Sequence, residues 1–393
     1  MSDAHVLLFP SSYPSSHAPI RGIFYREQAE ALQERMGRVG VVYPEYRRLR
    51  SFHPAALREN YWQVTVEKED GLPTARRHGW NVPGGGLRGT LLRAQYRDLF
   101  FRYVQEFGTP DVLHSHGVFW GGSAARAVSR ETGIPFVHTE HSTGYTRGLF
   151  QSWEKQEIES VLTSSPAPIA VSGALARSIT ETVSVPRPRV VPNTVDTDYF
   201  TPPPDPRSSS SFSFLTVARL KKKKGVDLLL KAFQRAFGGR KKVRLLIGGN
   251  GPRAGALQEL AATLGLTDQV VFLGGLSRSE VRERLWEANA FVLPSRVETF
   301  GVVVIEALST GLPVVATRSG GPEEILTDMT GWVVDAEDVG QLCDGMQKAY
   351  AARDDLPSRE AEIRHHAEKN YSYQAVSGML EAVYDEVLQR SGE

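Results

Sequence analysis

Residues 293–307 read LPSRVETFGVVVIEA, and the organisation of the chain follows from them. The apolar run Ala290–Leu293 has the length and composition of a buried strand, and it runs into a Pro-Ser loop. Past Glu298 the pattern becomes that of a helix beginning near Phe300, with Glu306 set in an otherwise apolar segment. A helix N-terminus carries unsatisfied N–H groups and roughly half a positive charge. Phe300, Gly301 and Val302 therefore make a natural seat for phosphate, and Gly301 lets the backbone approach closely. At a rise of ~1.5 Å per residue, Glu306 lies roughly 9 Å of helix beyond Phe300, so Glu298 and Glu306 bracket a ligand whose middle is a diphosphate. A sugar nucleotide is such a ligand. The bland alternative is a solvated loop carboxylate and a surface helix position. Against it stand the apolar neighbours of Glu306, because a buried carboxylate is rare unless it is bonded.

At 393 residues the chain is long enough for two domains with full cores. A net charge of +1 and 23% charged residues give no global reason to expect nucleic acid as a partner. The single cysteine, Cys343, excludes an intrachain disulfide and any multi-cysteine zinc site. Its neighbours Leu342 and Met346 point to a small core residue. The start of the chain lacks a basic segment before a long apolar run, and no stretch reaches the ~18 apolar residues of a membrane span. The expectation is a cytoplasmic protein whose membrane contact, if any, is at the inner face.

In the first half, buried-strand signals fall at residues 5–9, 39–43, 112–116, 136–141, 169–172 and 190–192, with helical patterns between several of them. The helix GIFYREQAEALQER opens on Gly22, so strand, loop and helix begin the chain as a doubly wound domain does, with the loop at the carboxyl edge where ligands bind. Residues 87–107 read as one amphipathic helix packing Leu91, Leu92, Leu99, Phe100 and Tyr103. Between Arg35 and Arg102 there are 13 basic and six acidic residues, an excess of 13 − 6 = +7. Such a span is a solvated surface, or a face that meets an anionic acceptor or lipid headgroups; no nucleic-acid-binding motif accompanies it. His114, His116, His138, Glu140 and His141 fall at the ends of two expected parallel strands. Alternation along a strand sends neighbours to opposite faces, so a metal site is disfavoured and contact with substrate favoured.

Residues 201–211, TPPPDPRSSSS, have almost no apolar content and mark a linker. Strand signals then recur at 212–218, 244–248, 270–273, 290–293, 314–316 and 332–334, describing a second doubly wound sheet. The run KKKKG ends on Lys224, five residues past Arg219. The stretch LLIGGNGPRAGAL has the strand, glycine turn and helix of a dinucleotide fingerprint, but Gly255 is one residue late and no acidic residue ends the next strand, which excludes a nicotinamide cofactor.

Glu298, seven residues, then Glu306, with Phe-Gly following the first Glu, resembles the signature of family 4 retaining glycosyltransferases of the GT-B fold. VVPNTVDTDYF is similar to the Pro-Asn-x-Val-Asp segment that leads out of that family's first domain, and on this ground Asp196-Thr-Asp198 is not read as a metal-binding Asp-x-Asp. Gly249-x-Gly251-Pro252, residues 319–326 (SGGPEEIL) and the strand end TEHS match further segments. The resemblance implies an α/β architecture of two doubly wound Rossmann-like domains facing each other across a cleft. Residues 1–200 would bind the acceptor, 201–211 link, 212–372 bind the nucleotide sugar, and a terminal helix of about 373–393 cross back to the first domain. It implies that Arg219 and Lys224 hold the donor diphosphate, Phe300, Gly301 and Val302 a phosphate, Glu298 the sugar hydroxyls and Glu306 the ribose, with His116 facing the transferred sugar. Gly22 would approach the donor phosphate, although Ile23 stands where the family often has a second glycine. The implied activity is retaining transfer of a hexose or N-acetylhexosamine from a UDP- or GDP-sugar to a glycan or lipid-linked acceptor, without metal or other cofactor, in polysaccharide or envelope glycan synthesis. The alternatives are a non-catalytic nucleotide-sugar-binding partner of another transferase, or an epimerase or phosphorylase on the same fold.

Overall fold

Strands buried on both faces tend to be apolar, as Val6–Pro10 and Ala290–Leu293 are, whereas Val112–His116 and Phe136–Glu140 also bury polar side chains. The structure, a computed structural model, describes residues 4–48, 60–81, 87–207 and 211–391. β1 (Val6–Pro10), β2 (Val39–Arg48), β3 (Val64–Glu69), β4 (Leu72–Asn81), β5 (Val112–His116), β6 (Phe136–Glu140), β7 (Pro168–Ala170) and β8 (Arg189–Val190) form one sheet in the order β3-β4-β2-β1-β5-β6-β7-β8. β9 (Phe212–Val217), β10 (Val243–Gly248), β11 (Val270–Gly274), β12 (Ala290–Leu293), β13 (Val314–Arg318) and β14 (Gly331–Asp335) form a second, in the order β11-β10-β9-β12-β13-β14. All pairings are parallel except β3 with β4. The chain crosses to the other side of its first strand between β1 and β5 in the first sheet and between β9 and β12 in the second. The loops at such a switch point diverge and leave a crevice at the carboxyl ends. The loop before Gly22 follows β1 and His116 ends β5; the Lys224 loop follows β9 and the Glu298 loop follows β12. Topology therefore gathers the sequence candidates at two points.

The chain divides into two compact units, Met1–Asn193 with Val376–Glu393, and Thr194–Ala375. Residues 194–200, expected with the first unit, belong to the second. The Val195 N–H and the Thr194 hydroxyl both donate to the Tyr371 carbonyl, at 2.8 and 3.1 Å, and Phe200 is fully buried with its carbonyl accepting from Arg364. Residues 208–210 of the expected linker lie outside the described residues. The last helix, Tyr373–Ser391, places Val376, Leu380, Val383, Tyr384 and Val387 in the same core as Val6, Leu8 and Ile169 of the first sheet. Burying such a side chain contributes about 1.5–3 kcal/mol, enough to tie this helix to the first unit.

Three local readings are corrected. The hairpin β3–β4 has no counterpart in the sequence expectations, although Asp70 and Gly71 take positive φ (49° and 88°) between alternating segments, as a tight two-residue turn requires. Leu91 is 54% exposed. The buried stripe of the helix Leu87–Phe107 runs instead through Leu92, Tyr96, Leu99, Phe100 and Tyr103, the spacing of one helical face. The helix after Glu298 begins at Val302, because Gly301 in the left-handed region (φ 101°) ends the loop.

Candidate functional site

At the switch point of the second sheet, two loops from strands far apart in sequence lie against each other. The turn Lys222–Lys224 ends on Gly225 at φ 66°. A Cβ there would stand 1.8 Å from the Pro294 carbonyl oxygen, so only glycine lets the lysine loop rest on the loop after β12. Arg296 fastens the contact. Its N–H donates to the Lys223 carbonyl at 2.8 Å and its guanidinium to the Lys222 carbonyl at 2.6 Å. The same guanidinium grips Asp227 through both carboxylate oxygens, at 2.9 and 2.8 Å. Burial raises the Asp227 carboxyl, but Arg296 outweighs it and holds the group below its ordinary range.

The consequence is an ion pair between Lys224 Nζ and Glu298 Oε1. Ser295 Oγ donates to the same carboxylate oxygen at 2.8 Å, and the Glu298 N–H donates to the Ser319 carbonyl at 2.9 Å. The turn 319–321 is pressed onto this loop: a Cβ on Gly321 would come within 2.3 Å of the Phe300 Cα. Glu323 closes that turn by accepting from the Ser319 and Gly320 N–H groups at 3.1 and 3.0 Å. The Phe300 side chain is core, buried edge-on against Tyr371 with ring centroids 5.9 Å apart, so only its backbone can serve a ligand. Val302 and Glu306 follow on the helix Val302–Ser309. Burial pushes the Glu306 carboxyl up to about 6, against the pull of Arg278. Arg219 is exposed and makes no ion pair among the described residues. A charge pair and a helix N-terminus thus lie on the loops of one switch point, with Arg219 on the same loop as Lys224. Such a set can neutralise a diphosphate and bond hydroxyl groups.

In the first unit the structure joins Gly22 to His116. Gly22 caps the helix Ile23–Met36 against the Ser12 carbonyl, and the Ser11 N–H and hydroxyl donate to the His116 carbonyl at 3.0 and 2.6 Å. The Tyr25 ring lies 5.1 Å from His116 and 5.0 Å from His141. His116 Nδ1 faces His141 Nε2 at 3.2 Å, while His116 Nε2 is buried without a hydrogen-bond partner. Burial first, and then the neighbouring histidines, hold His116 well below its ordinary range; burial lowers His141 to about 3. Both rings are neutral near pH 7. His114 is bonded at both nitrogens, to Tyr384 at 2.6 Å and Thr139 at 2.8 Å, and is a core residue. Glu140 accepts the His141 and Ser142 N–H groups, both at 2.8 Å, and is a structural brace. Asp196 Oδ1 accepts from the Asp198 and Tyr199 N–H groups at 3.0 and 2.8 Å, a turn-closing role. Among the described residues no group of three or more His, Cys, Asp or Glu side chains is arranged to hold a metal ion.

Sequence reasoning missed Ser295, Arg296, Tyr25 and the pairing role of His141. Ser295 and Arg296 stand inside the stretch first quoted, where a hydroxyl three residues before a carboxylate is a local signal. Arg296 with Asp227 carried no signal, since the partners are 69 positions apart.

Residues 203–370 match the glycosyl transferases group 1 family, and residues 22–199 match glycosyltransferase family 4. A D-inositol 3-phosphate glycosyltransferase of Frankia alni is 30% identical over 315 residues, 72% of this chain and 75% of that protein. The chain therefore belongs to the family 4, group 1 glycosyltransferases. A phosphatidylinositol N-acetylglucosaminyltransferase gpi3 subunit of Schizosaccharomyces pombe is 31% identical over 206 residues, 52% of this chain and 45% of that protein. The match to it thus spans about half that relative's length. Among solved structures, a sucrose-phosphate synthase of Thermosynechococcus elongatus superposes with a TM-score of 0.78 at 18% identity, covering 98% of this chain and all of that one. An Anabaena protein solved with UDP and glucose gives 0.74 at 17%, covering 97% of this chain and all of that one. At these identities the likeness is one of fold, and the fold is GT-B.

Proposed function

We propose that the protein transfers a hexose or N-acetylhexosamine, with retention of configuration and without a metal ion, from a nucleoside-diphosphate sugar to a glycan or lipid-linked acceptor of the cell envelope, in the cytoplasm. The observation that carries this reading is the convergence of Lys224, Glu298 and the first turn of the helix Val302–Ser309 at one switch point. Negative charge grows on the leaving diphosphate as the glycosidic bond breaks. Lys224, Arg219 and the N–H groups near Gly301 and Val302 stabilise that charge where it develops. Glu298 takes sugar hydroxyls and Glu306 the ribose. Attack on the same face, within a tight ion pair, accounts for retention without a protein nucleophile. His116 is assigned to a sugar oxygen on the family resemblance alone, its ring being buried in this structure. The UDP complex of the Anabaena neighbour favours UDP as the nucleotide to try first. The inositol-phosphate and phosphatidylinositol acceptors in the relatives' names favour an anionic or lipid-linked acceptor.

Peripheral membrane contact belongs to the same reading; within the arginine-rich span Arg50 and Arg58 lie outside the described residues, and several other arginines are committed to carboxylates. Arg76 is buried between Glu45 and Glu69, at 3.2 and 2.6 Å, and Arg77 and Arg97 are paired with Asp98 and Glu131, both at 2.5 Å. Leu149 and Trp153, in contrast, are 53% and 55% exposed beside the exposed Arg147 and Lys155, the composition of a peripheral contact with anionic lipid. No helix among the described residues is long and apolar enough to cross a membrane.

Thermal-shift screening with UDP, GDP, ADP and their sugar conjugates tests the donor site. A ligand at 100 times its Kd adds about 2.7 kcal/mol of stability, and at least one conjugate is expected to raise the melting temperature by several degrees. A flat response to the whole panel contradicts the reading.

A further inference from the structure

Two groups assigned to neighbouring parts of the donor are bonded to each other. Lys224, for the diphosphate, and Glu298, for the sugar, form one pair whose side chains are 20% and 9% exposed. The geometry holds both in place. Gly225 seats the lysine loop on Pro294, Arg296 fastens the Lys222 and Lys223 carbonyls, and Ser319 fixes the backbone of Glu298. A diphosphate that draws Lys224 to itself therefore leaves Glu298 mostly buried, with Ser295 as its remaining side-chain partner among the described residues. Removing one member of a buried pair is strongly unfavourable, because the charge left behind has lost both water and partner. A sugar can repair the loss, since two hydroxyl groups donate to the carboxylate as the ammonium did.

We infer that the Lys224–Glu298 pair couples recognition of the diphosphate to recognition of the sugar, so that the protein holds an intact nucleoside-diphosphate sugar and discriminates against the free nucleoside diphosphate. The inference rests on the donor-site reading above and extends it to product release. Once the sugar has left, Glu298 reclaims Lys224 and the nucleoside diphosphate loses one of its two cations, keeping Arg219. The pair thus makes the spent nucleotide a weak inhibitor of its own site.

The test is calorimetric titration of UDP and GDP, and of UDP-glucose, UDP-N-acetylglucosamine and GDP-mannose, into the full chain and its variants. Glu298→Gln frees Lys224, so affinity for the free nucleoside diphosphate rises about tenfold while affinity for the sugar conjugate falls. The opposite signs separate coupling from general damage, which weakens both ligands together. In a Lys224→Met background, Glu298→Gln no longer raises affinity for the free diphosphate, and circular dichroism of each variant shows whether the fold is kept. Should both ligands weaken in proportion, or their ratio stay as in the wild type, the coupling is overturned while the donor site stands. Should no nucleotide bind the wild type, the donor-site reading falls and the inference with it.

Discussion

Lys224 and Glu306 show how much of a site one residue carries. Lys224→Ala and Arg219→Ala are each expected to lower turnover by about two orders of magnitude, as loss of one transition-state electrostatic contact does; steady-state rates at saturating donor measure it. Glu306, pushed up to about 6 by burial, accepts ribose hydroxyls more strongly when ionised. Affinity for a nucleotide sugar should therefore fall as pH drops through about 6, and Glu306→Gln should flatten that dependence between pH 5 and 7.5. The stability effect has the opposite sense. A carboxyl whose folded pKa lies above its ordinary 4.5 binds its proton more readily in the native state, so its contribution to stability is lost as pH rises from 4.5 through about 6. Both glutamates were legible in the sequence because local pattern betrays them, a carboxylate before a helix and another within an apolar run. The partnership of Glu298 with Lys224 was not, because the two are 74 positions apart and only topology brings them together.

At the scale of elements, the loops after β9 and β12 meet through a glycine contact as well as burying Leu220 and Phe300. Gly225→Ala puts a Cβ 1.8 Å from the Pro294 carbonyl oxygen at a φ of 66°, and should cost about 3 kcal/mol from overpacking and left-handed strain together. Gly265→Ala has nearly the same φ, 69°, and nothing within 4 Å, so it should cost only the strain, about 1 kcal/mol. Urea-unfolding midpoints of the two variants separate the terms. Strands buried on both faces announced themselves as apolar runs. The hairpin β3–β4 did not, since its exposed strand, with Glu67 and Lys68, alternates too weakly to stand out from the charged span around it. Leu91 shows the limit of periodicity, for a leucine next to the buried stripe reads the same as one inside it.

Strand spacing and apolar runs made two doubly wound sheets legible, while the strand order and its switch points came only from the structure. The edge between the units was not, because what fixes residues 194–200 to the second unit is bonding to Tyr371 and Arg364, more than 160 positions away. Arginine count alone could not show which charges are already paired, since partners such as Glu131 lie outside the span counted. Vesicles containing an acidic phospholipid should sediment the wild type at low salt and release it as the Debye length falls below ~8 Å. Trp153→Ser with Leu149→Ser should abolish this, and retention by that double variant would place the contact elsewhere. The most direct measurement follows the labelled sugar itself. The nucleotide sugar that stabilises the protein is incubated with it and with an envelope lipid and glycan fraction in EDTA, and the anomeric configuration of the product is read by NMR. The account predicts transfer to acceptor with the donor's configuration kept and no dependence on Mg²⁺ or Mn²⁺; tight binding without transfer, inversion at the anomeric carbon, or activity restored only by metal would contradict it.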